Sequence, residues 1–166
     1  MATAQFILRI AAGLLLGVCL CARADGFAGI VTHVTDGDSL WVRPLAGGTA
    51  LQVRLEGIDA PEICQRYGER SRAALASRTL HQRVQVTNRA TDNYQRSLGR
   101  VSVRGEDVGR WMVSRGHAWS YRFRGDRGPY SRQEAQARSA RLGLWSGPSP
   151  VQPRDFRKRN GSCKVP

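Results

Sequence analysis

The sequence predicts an α+β fold in which strands gather first around a small barrel and helices are added after them. Three observations lead there. Three strand-like runs crowd residues 27–56, and two more fall between residues 84 and 104. Helical spacing starts only at Glu69 and returns in two later segments. At 166 residues, the chain can bury one core but not comfortably two. A five-stranded barrel of this size is an OB-fold, a frequent platform for nucleic acids, although element order alone assigns no function.

The elements follow in order. Residues 1–24 are set aside as an export signal: Arg9 precedes an apolar run from Ile10 to Leu20, and Ala22-Arg23-Ala24 has the A-x-A cleavage pattern. A retained N-terminal anchor is the alternative, but the run is too short to span a bilayer as a helix. Phe27 to Val34 reads as a strand rich in Val and Ile, and Leu40 to Leu45 as a second, with Pro44 marking its end. Gly47 and Gly48 signal a hairpin turn into Leu51 to Glu56, where Leu51, Val53 and Leu55 alternate with polar residues. Glu69 to Leu80 has helical spacing through Ala73, Ala76 and Leu80. Val84 to Thr87 and Leu98 to Arg104 are the fourth and fifth strands. Asp107 can cap a helix that Gly116 ends, and Ala118 to Phe123 returns as an extended piece. Ser131-Arg132-Gln133-Glu134 reads as a capping box opening a third helix, with Ala135 and Leu142 inward and Gly143 near its end. The expected organisation is therefore a signal (1–24), an OB-fold domain (25–146) and an irregular, Pro-rich basic tail (147–166).

Charge narrows the function. Lys and Arg number 26 against 13 acids, and Arg far outnumbers Lys. Removing Arg9 and Arg23 with the signal takes away no acid, so the charge falls only from +13 to +11. Such a chain is suited to polyanions, nucleic acid first and an anionic membrane surface second. Guanidinium forks favour bidentate phosphate contacts. No amphipathic helix accompanies the basic run Arg157-Lys158-Arg159, which weighs against membrane binding. After signal removal two cysteines remain, Cys64 and Cys163. In an exported protein they can form a disulfide, with two free thiols as the alternative.

Chemistry concentrates where few acids meet. If Gly47-Gly48 is the hairpin turn, facing residues sum to about 95, placing Asp36 opposite Asp59 and Asp38 close by. D-G-D (Asp36 to Asp38) and I-D-A-P-E (Ile58 to Glu62) then converge. Singly, each segment reads as a turn. Together they bring Asp36, Asp38, Asp59 and Glu62 close, and such carboxylates repel unless cations sit among them. An all-oxygen set favours Ca²⁺ or Mg²⁺. Arg54 lies on the polar face leading to Asp59, and Arg96 lies in a polar stretch between strands.

In order and spacing, D-G-D-S, R-L-E-G-I-D-A-P-E and T-D-N-Y-Q-R resemble the thermonuclease (staphylococcal nuclease-like) family, and Glu134 to Trp145 resembles that family's last helix. The resemblance covers roughly Phe27 to Trp145. It implies an OB-fold barrel with three helices and a Ca²⁺-dependent phosphodiesterase acting on DNA and RNA and leaving 3′-phosphate ends. It assigns Asp38, Asp59 and the Ala60 carbonyl to the metal, Asp36 to their support, Arg54, Glu62 and Arg96 to catalysis, and Tyr94 to substrate contact. Glu62 would orient or deprotonate the attacking water while Arg54 and Arg96 clamp the phosphate. The expected partners are DNA and RNA, with no stable membrane association after signal cleavage, and the chain is expected to act as a monomer outside the cytoplasm.

The sequence departs from the family in three places. Ser39 and Ala60 stand where Thr is usual, and Gln95 replaces the Gly before Arg96. A position demanding positive φ would cost Gln about 1 kcal/mol. Ile63 to Gly68 is short, which leaves one rim of the site open. The alternative reading is a non-catalytic OB-fold module that only binds nucleic acid; such a module need not keep two Asp, two Arg and Glu62 together.

Overall fold

The computed structural model describes residues 26–91, 96–121, 125–161 and 163. The expected signal, and Tyr94 and Gln95, lie outside these residues.

The strands are β1 (Gly26–Val34), β2 (Ser39–Pro44), β3 (Leu51–Leu55), β4 (Ile58–Asp59), β5 (Arg83–Thr91), β6 (Ser97–Val103), β7 (Glu106–Asp107) and β8 (Trp119–Ser120). The helices are α1 (Gly68–Thr79), α2 (Val108–Ser114), α3 (Ser131–Ser139) and α4 (Pro153–Asn160), with a 3-10 turn at Gly143–Ser146. The main sheet runs β3-β2-β1-β5-β6-β7, and β3 also pairs in parallel with β6. That pairing closes β3-β2-β1-β5-β6 into a five-stranded mixed barrel of OB type, leaving no open edge between β3 and β6.

Alternation builds the core. Val31, Leu40, Val42, Val53, Val86 and Val101 all turn inward and are buried. Leu75 of α1 and Met112 of α2 pack into the same core and are likewise buried. A smaller cluster joins Trp119, Ala137, Leu144 and Trp145 outside the barrel, with the two indoles edge to face at 5.2 Å.

Several expectations are corrected. The β2–β3 ladder pairs Leu40 with Val53 and Ser39 with Arg54, two places from the expected register. The connection occupies residues 45–50, longer than a tight Gly-Gly turn, and a shift of two preserves which face each side chain takes. Ser131 does not cap α3: it is the first helical residue, and Tyr130 precedes it without a side-chain cap. Glu134 is buried and accepts a hydrogen bond from the Ser120 amide at 2.8 Å, so it fastens β8 rather than capping a helix. Ala135 and Leu142 face outward; Ala137, Leu144 and Trp145 are the inward residues.

The tail is not wholly irregular, and among the described residues the α-helices number four rather than three. Pro153 sits in the first turn of α4, where its missing N–H is no loss. Asp155 lies in the first turn and Arg157, Lys158 and Arg159 in the last, each complementing the helix dipole. Gly161, at φ 74°, ends the helix. Nor is the rim at Ile63 to Gly68 open. Cys64 and Cys163 are disulfide-bonded, and the tail packs there.

Candidate active site at the barrel mouth

Backbone geometry delivers the acids. At the end of β1 the chain turns, and the Thr35 and Asp36 amides both point at the Ser39 carbonyl, at 2.9 and 3.4 Å. Asp36 Oδ1 accepts from the Asp38 amide at 2.9 Å, which fixes the D-G-D loop. Gly37 is needed for space. A Cβ there would lie 2.0 Å from Ser71 Oγ and 2.7 Å from the Ala60 Cβ, so only glycine lets the loop approach α1 and the Asp59-Ala60 segment. Asp36 therefore does not face Asp59, as the shifted register requires, but supports Asp38.

Asp38 is buried and fully engaged. Its Oδ2 accepts from the Ala60 amide at 2.9 Å, its Oδ1 from Ser39 Oγ at 3.1 Å, and Oδ1 also pairs with Arg54 Nη1. The hydroxyl of Ser39 thus keeps a role at a position where Thr is usual. Arg54 reaches across to Asp59 as well, with Nη2 3.2 Å from Oδ1. So the turn before β2, then β3 and β4, each contribute one member of an Asp38–Arg54–Asp59 chain.

The electrostatics follow from burial. Burial, then the Asp38 charge and a side-chain hydrogen bond with Asp38, push the Asp36 carboxyl up to about 8. Burial would also raise Asp38, but the Arg54 guanidinium and hydrogen bonds from Asp36 and the Ala60 amide outweigh it and hold the carboxyl below its ordinary value. Asp59 is raised by burial and by Asp38, only partly offset by Arg54 and Arg157. Arg54 is held more firmly protonated, because its acidic neighbours outweigh its burial.

Glu62 stands beside it and is positioned by the start of α1. Its backbone amide donates to Gln65 Oε1 at 3.2 Å. A Cβ on Gly68 would lie 1.9 Å from the Glu62 carbonyl oxygen, so glycine at the head of α1 lets the helix press against this turn. Arg54, Glu62 and Arg96 line one open cleft of about 1020 Å³ together with Asp36, Asp38 and Ala60. Asp59 reaches the same cluster through Arg54. Among the described residues no three His, Cys, Asp or Glu side chains form a metal-holding group by themselves. A cation held by Asp38 and Asp59 would draw its further ligands from backbone oxygens such as that of Ala60 or from water.

Two cleft residues had no assigned place in the sequence. Tyr121 is 42% exposed and lines the cleft, a flat surface on which a base can stack. Arg157, from α4, places Nη1 2.7 Å from Glu62 Oε1 and 3.2 Å from Asp59 Oδ1, and Nη2 3.3 Å from Asp59 Oδ2. The signal for Arg157 was present: it lies six residues before Cys163, whose bridge to Cys64 brings the basic run beside Glu62.

Comparison with known proteins adds to this geometry. The family model described as "Staphylococcal nuclease homologue" matches residues 52–147. A protein of Shigella flexneri named "Micrococcal nuclease" is 39% identical over 162 residues, spanning 90% of each chain. "Protein ParB" of Escherichia coli is 38% identical over 167 residues, 94% of this chain and 93% of that one. An "Uncharacterized endonuclease" of Haemophilus influenzae is 30% identical over 139 residues, 84% of this chain and 77% of that one.

Proposed function

We propose that this chain, which belongs to the staphylococcal nuclease family, is a nuclease that hydrolyses phosphodiester bonds of DNA and RNA with low sequence specificity, depends on Ca²⁺ and acts as a monomer outside the cytoplasm. The observation that carries the reading is the convergence of Arg54, Glu62 and Arg96 on one cleft beside buried Asp38 and Asp59. Two relatives bear nuclease or endonuclease names over most of their length. The net charge of +13 suits a polyanionic substrate and predicts binding that weakens steeply with salt.

The donor set fits a hard cation. Asp38 and Asp59 offer carboxylate oxygens and Ala60 a carbonyl, with no nitrogen or sulfur ligand. Asp38, Asp59 and Ala60 would hold Ca²⁺, with Asp36 supporting Asp38. Bound there, the ion supplies Lewis-acid polarisation of a phosphate oxygen.

The remaining chemistry belongs to the chain. Glu62, partly open to the cleft, orients the attacking water and takes its proton at a carboxylate oxygen. Arg54 and Arg96 approach the phosphate as charge grows on its equatorial oxygens; losing one such donor costs on the order of a hundredfold in rate. Tyr121 offers a stacking surface for an adjoining base, and Tyr94 is assigned to substrate contact from its motif. Attack breaks the P–O5′ bond, leaving a 3′-phosphate and a free 5′-hydroxyl. The Cys64–Cys163 bridge supports a periplasmic or secreted location, where disulfides persist.

The test is direct. Purified oxidised protein should nick plasmid DNA and degrade RNA with Ca²⁺ and stop when EDTA is added. The product 5′ ends should accept phosphate from a polynucleotide kinase without prior dephosphorylation. DNA retarded in a gel but left intact with Ca²⁺ would mean a binding module instead.

A further inference from the structure

We propose that Arg157 is a positioning residue for Glu62, delivered by the tail helix and locked in place by the Cys64–Cys163 bridge, so that full nuclease activity belongs to the oxidised chain. The inference rests on the nuclease reading above. It concerns a residue beyond positions 52–147, the stretch that the family description matches.

Four observations carry it. First, the guanidinium of Arg157 spans two acids of the site, gripping Glu62 through Oε1 and Asp59 through both oxygens. Such a fork fixes direction as well as charge. Glu62 keeps 21% of its side chain exposed and still lines the cleft, so the grip aims the carboxylate without covering it. Second, the tail is stitched to the Glu62 turn on both sides of Arg157. Gln65 Nε2 donates to the Val151 carbonyl at 2.6 Å, while Gln65 Oε1 accepts from the Glu62 amide. Cys64 is bonded to Cys163, and its amide lies 3.2 Å from the Cys163 sulfur. Val151 and Cys163 each stand six residues from Arg157, and Cys64 and Gln65 stand two and three residues from Glu62.

Third, the apolar core does little to hold this segment. Pro153 is the buried residue of α4, and Val151 is 37% exposed. Position therefore depends on the bridge and a few polar contacts, and reduction should release it. Fourth, the contact is selective. Arg154, Lys158 and Arg159 on the same helix are exposed, whereas Arg157 is half-buried against the acids. A coat of charge would not need that distinction.

The consequence is a redox dependence that suits an exported nuclease. A dithiol reductant opens the bridge to two thiols and is itself oxidised to a cyclic disulfide. Arg157 then no longer has a fixed place beside Glu62. Chains still in a reducing compartment would cut slowly, and chains that have reached an oxidising one would cut at full rate.

The experiment measures cleavage of double-stranded DNA in Ca²⁺ by the full oxidised chain, by Arg157→Ala, Arg157→Lys and Cys163→Ser, and by the parent after dithiothreitol. Arg157→Ala should lower kcat about tenfold or more while KM moves less than about threefold, and Arg157→Lys should recover part of kcat. Dithiothreitol should lower the parent's kcat to a similar degree and leave Cys163→Ser unaffected. Amide exchange should rise in residues 151–161 on reduction and stay unchanged in the barrel strands. A parent-like kcat in Arg157→Ala overturns the inference, as does an effect confined to KM. A faster Arg157→Ala also overturns it, because the tail would then be a blocking strap. A parent that never cleaves overturns the nuclease reading itself; a cleaving parent with an indifferent Arg157→Ala overturns this inference alone.

Discussion

The barrel and the tail both present residues to one cleft, but different forces hold them. The barrel sets Arg54 on β3, and Asp38 and Asp59 in the turn and short strand beside it, against a fully buried core in which Leu40 and Val53 are at 0% exposure. The tail sets Arg157 with a disulfide, a glutamine and its own ion pairs. Damage should therefore separate. Changes at the barrel's site residues lower stability and activity together, changes in its apolar core lower stability, and changes in the tail alter activity and leave the fold standing.

The largest effect is expected at Arg54, where the site and the fold meet. Arg54→Met removes the partner of two buried carboxylates. Unfolding in urea should show a loss of about 3–5 kcal/mol, and cleavage should fall by a hundredfold or more. Loss of activity with unchanged stability would break the coupling assigned to the barrel. Leu40→Ala comes next. Stability should drop by about 2–5 kcal/mol, with kcat per folded molecule nearly unchanged, as read by kinetics well below the new melting temperature.

A third expectation concerns pH. The Asp36 carboxyl is raised from 3.8 to about 8 in the fold, so the folded chain holds a proton that the unfolded chain has already lost. That contribution is complete below about pH 3.8 and disappears as pH rises through 8. In EDTA, stability should decline by at least about 1 kcal/mol between pH 5 and pH 8, and Asp36→Asn should flatten the decline. Burial and Arg115 lower the His117 pKa, which gives the opposite sign: its contribution is lost as pH falls below the ordinary histidine range. Urea midpoints across this range check both. The smallest effect is expected at exposed Lys158. Lys158→Ala should change kcat less than about twofold and reduce the salt dependence of binding by no more than about one phosphate contact.

Much of this was legible in the sequence, for reasons that differ by residue. The strands could be read because Val53 and Leu55 alternate with Gln52 and Arg54, and a half-buried sheet enforces that period. Convergence of the two acidic segments survived a register error because a shift of two preserves faces. Glu134 misled because a capping box and a buried glutamate have the same local pattern; only the distant Ser120 amide separates them. The tail helix was hidden by its prolines, although Pro153 and Gly161 mark its two ends. Arg157 escaped local pattern because its partners lie 95 and 98 residues away, and only the pairing of Cys64 with Cys163 pointed to its place.

The most direct measurement is the rate of DNA cleavage in Ca²⁺ by Glu62→Gln beside the parent chain. Gln keeps the size of the side chain and removes its capacity to take a proton. If Glu62 serves the attacking water, Glu62→Gln should cut about a hundredfold more slowly or worse, with an unchanged melting temperature and similar DNA binding. A Glu62→Gln chain that cuts as fast as the parent would contradict the mechanism at its centre.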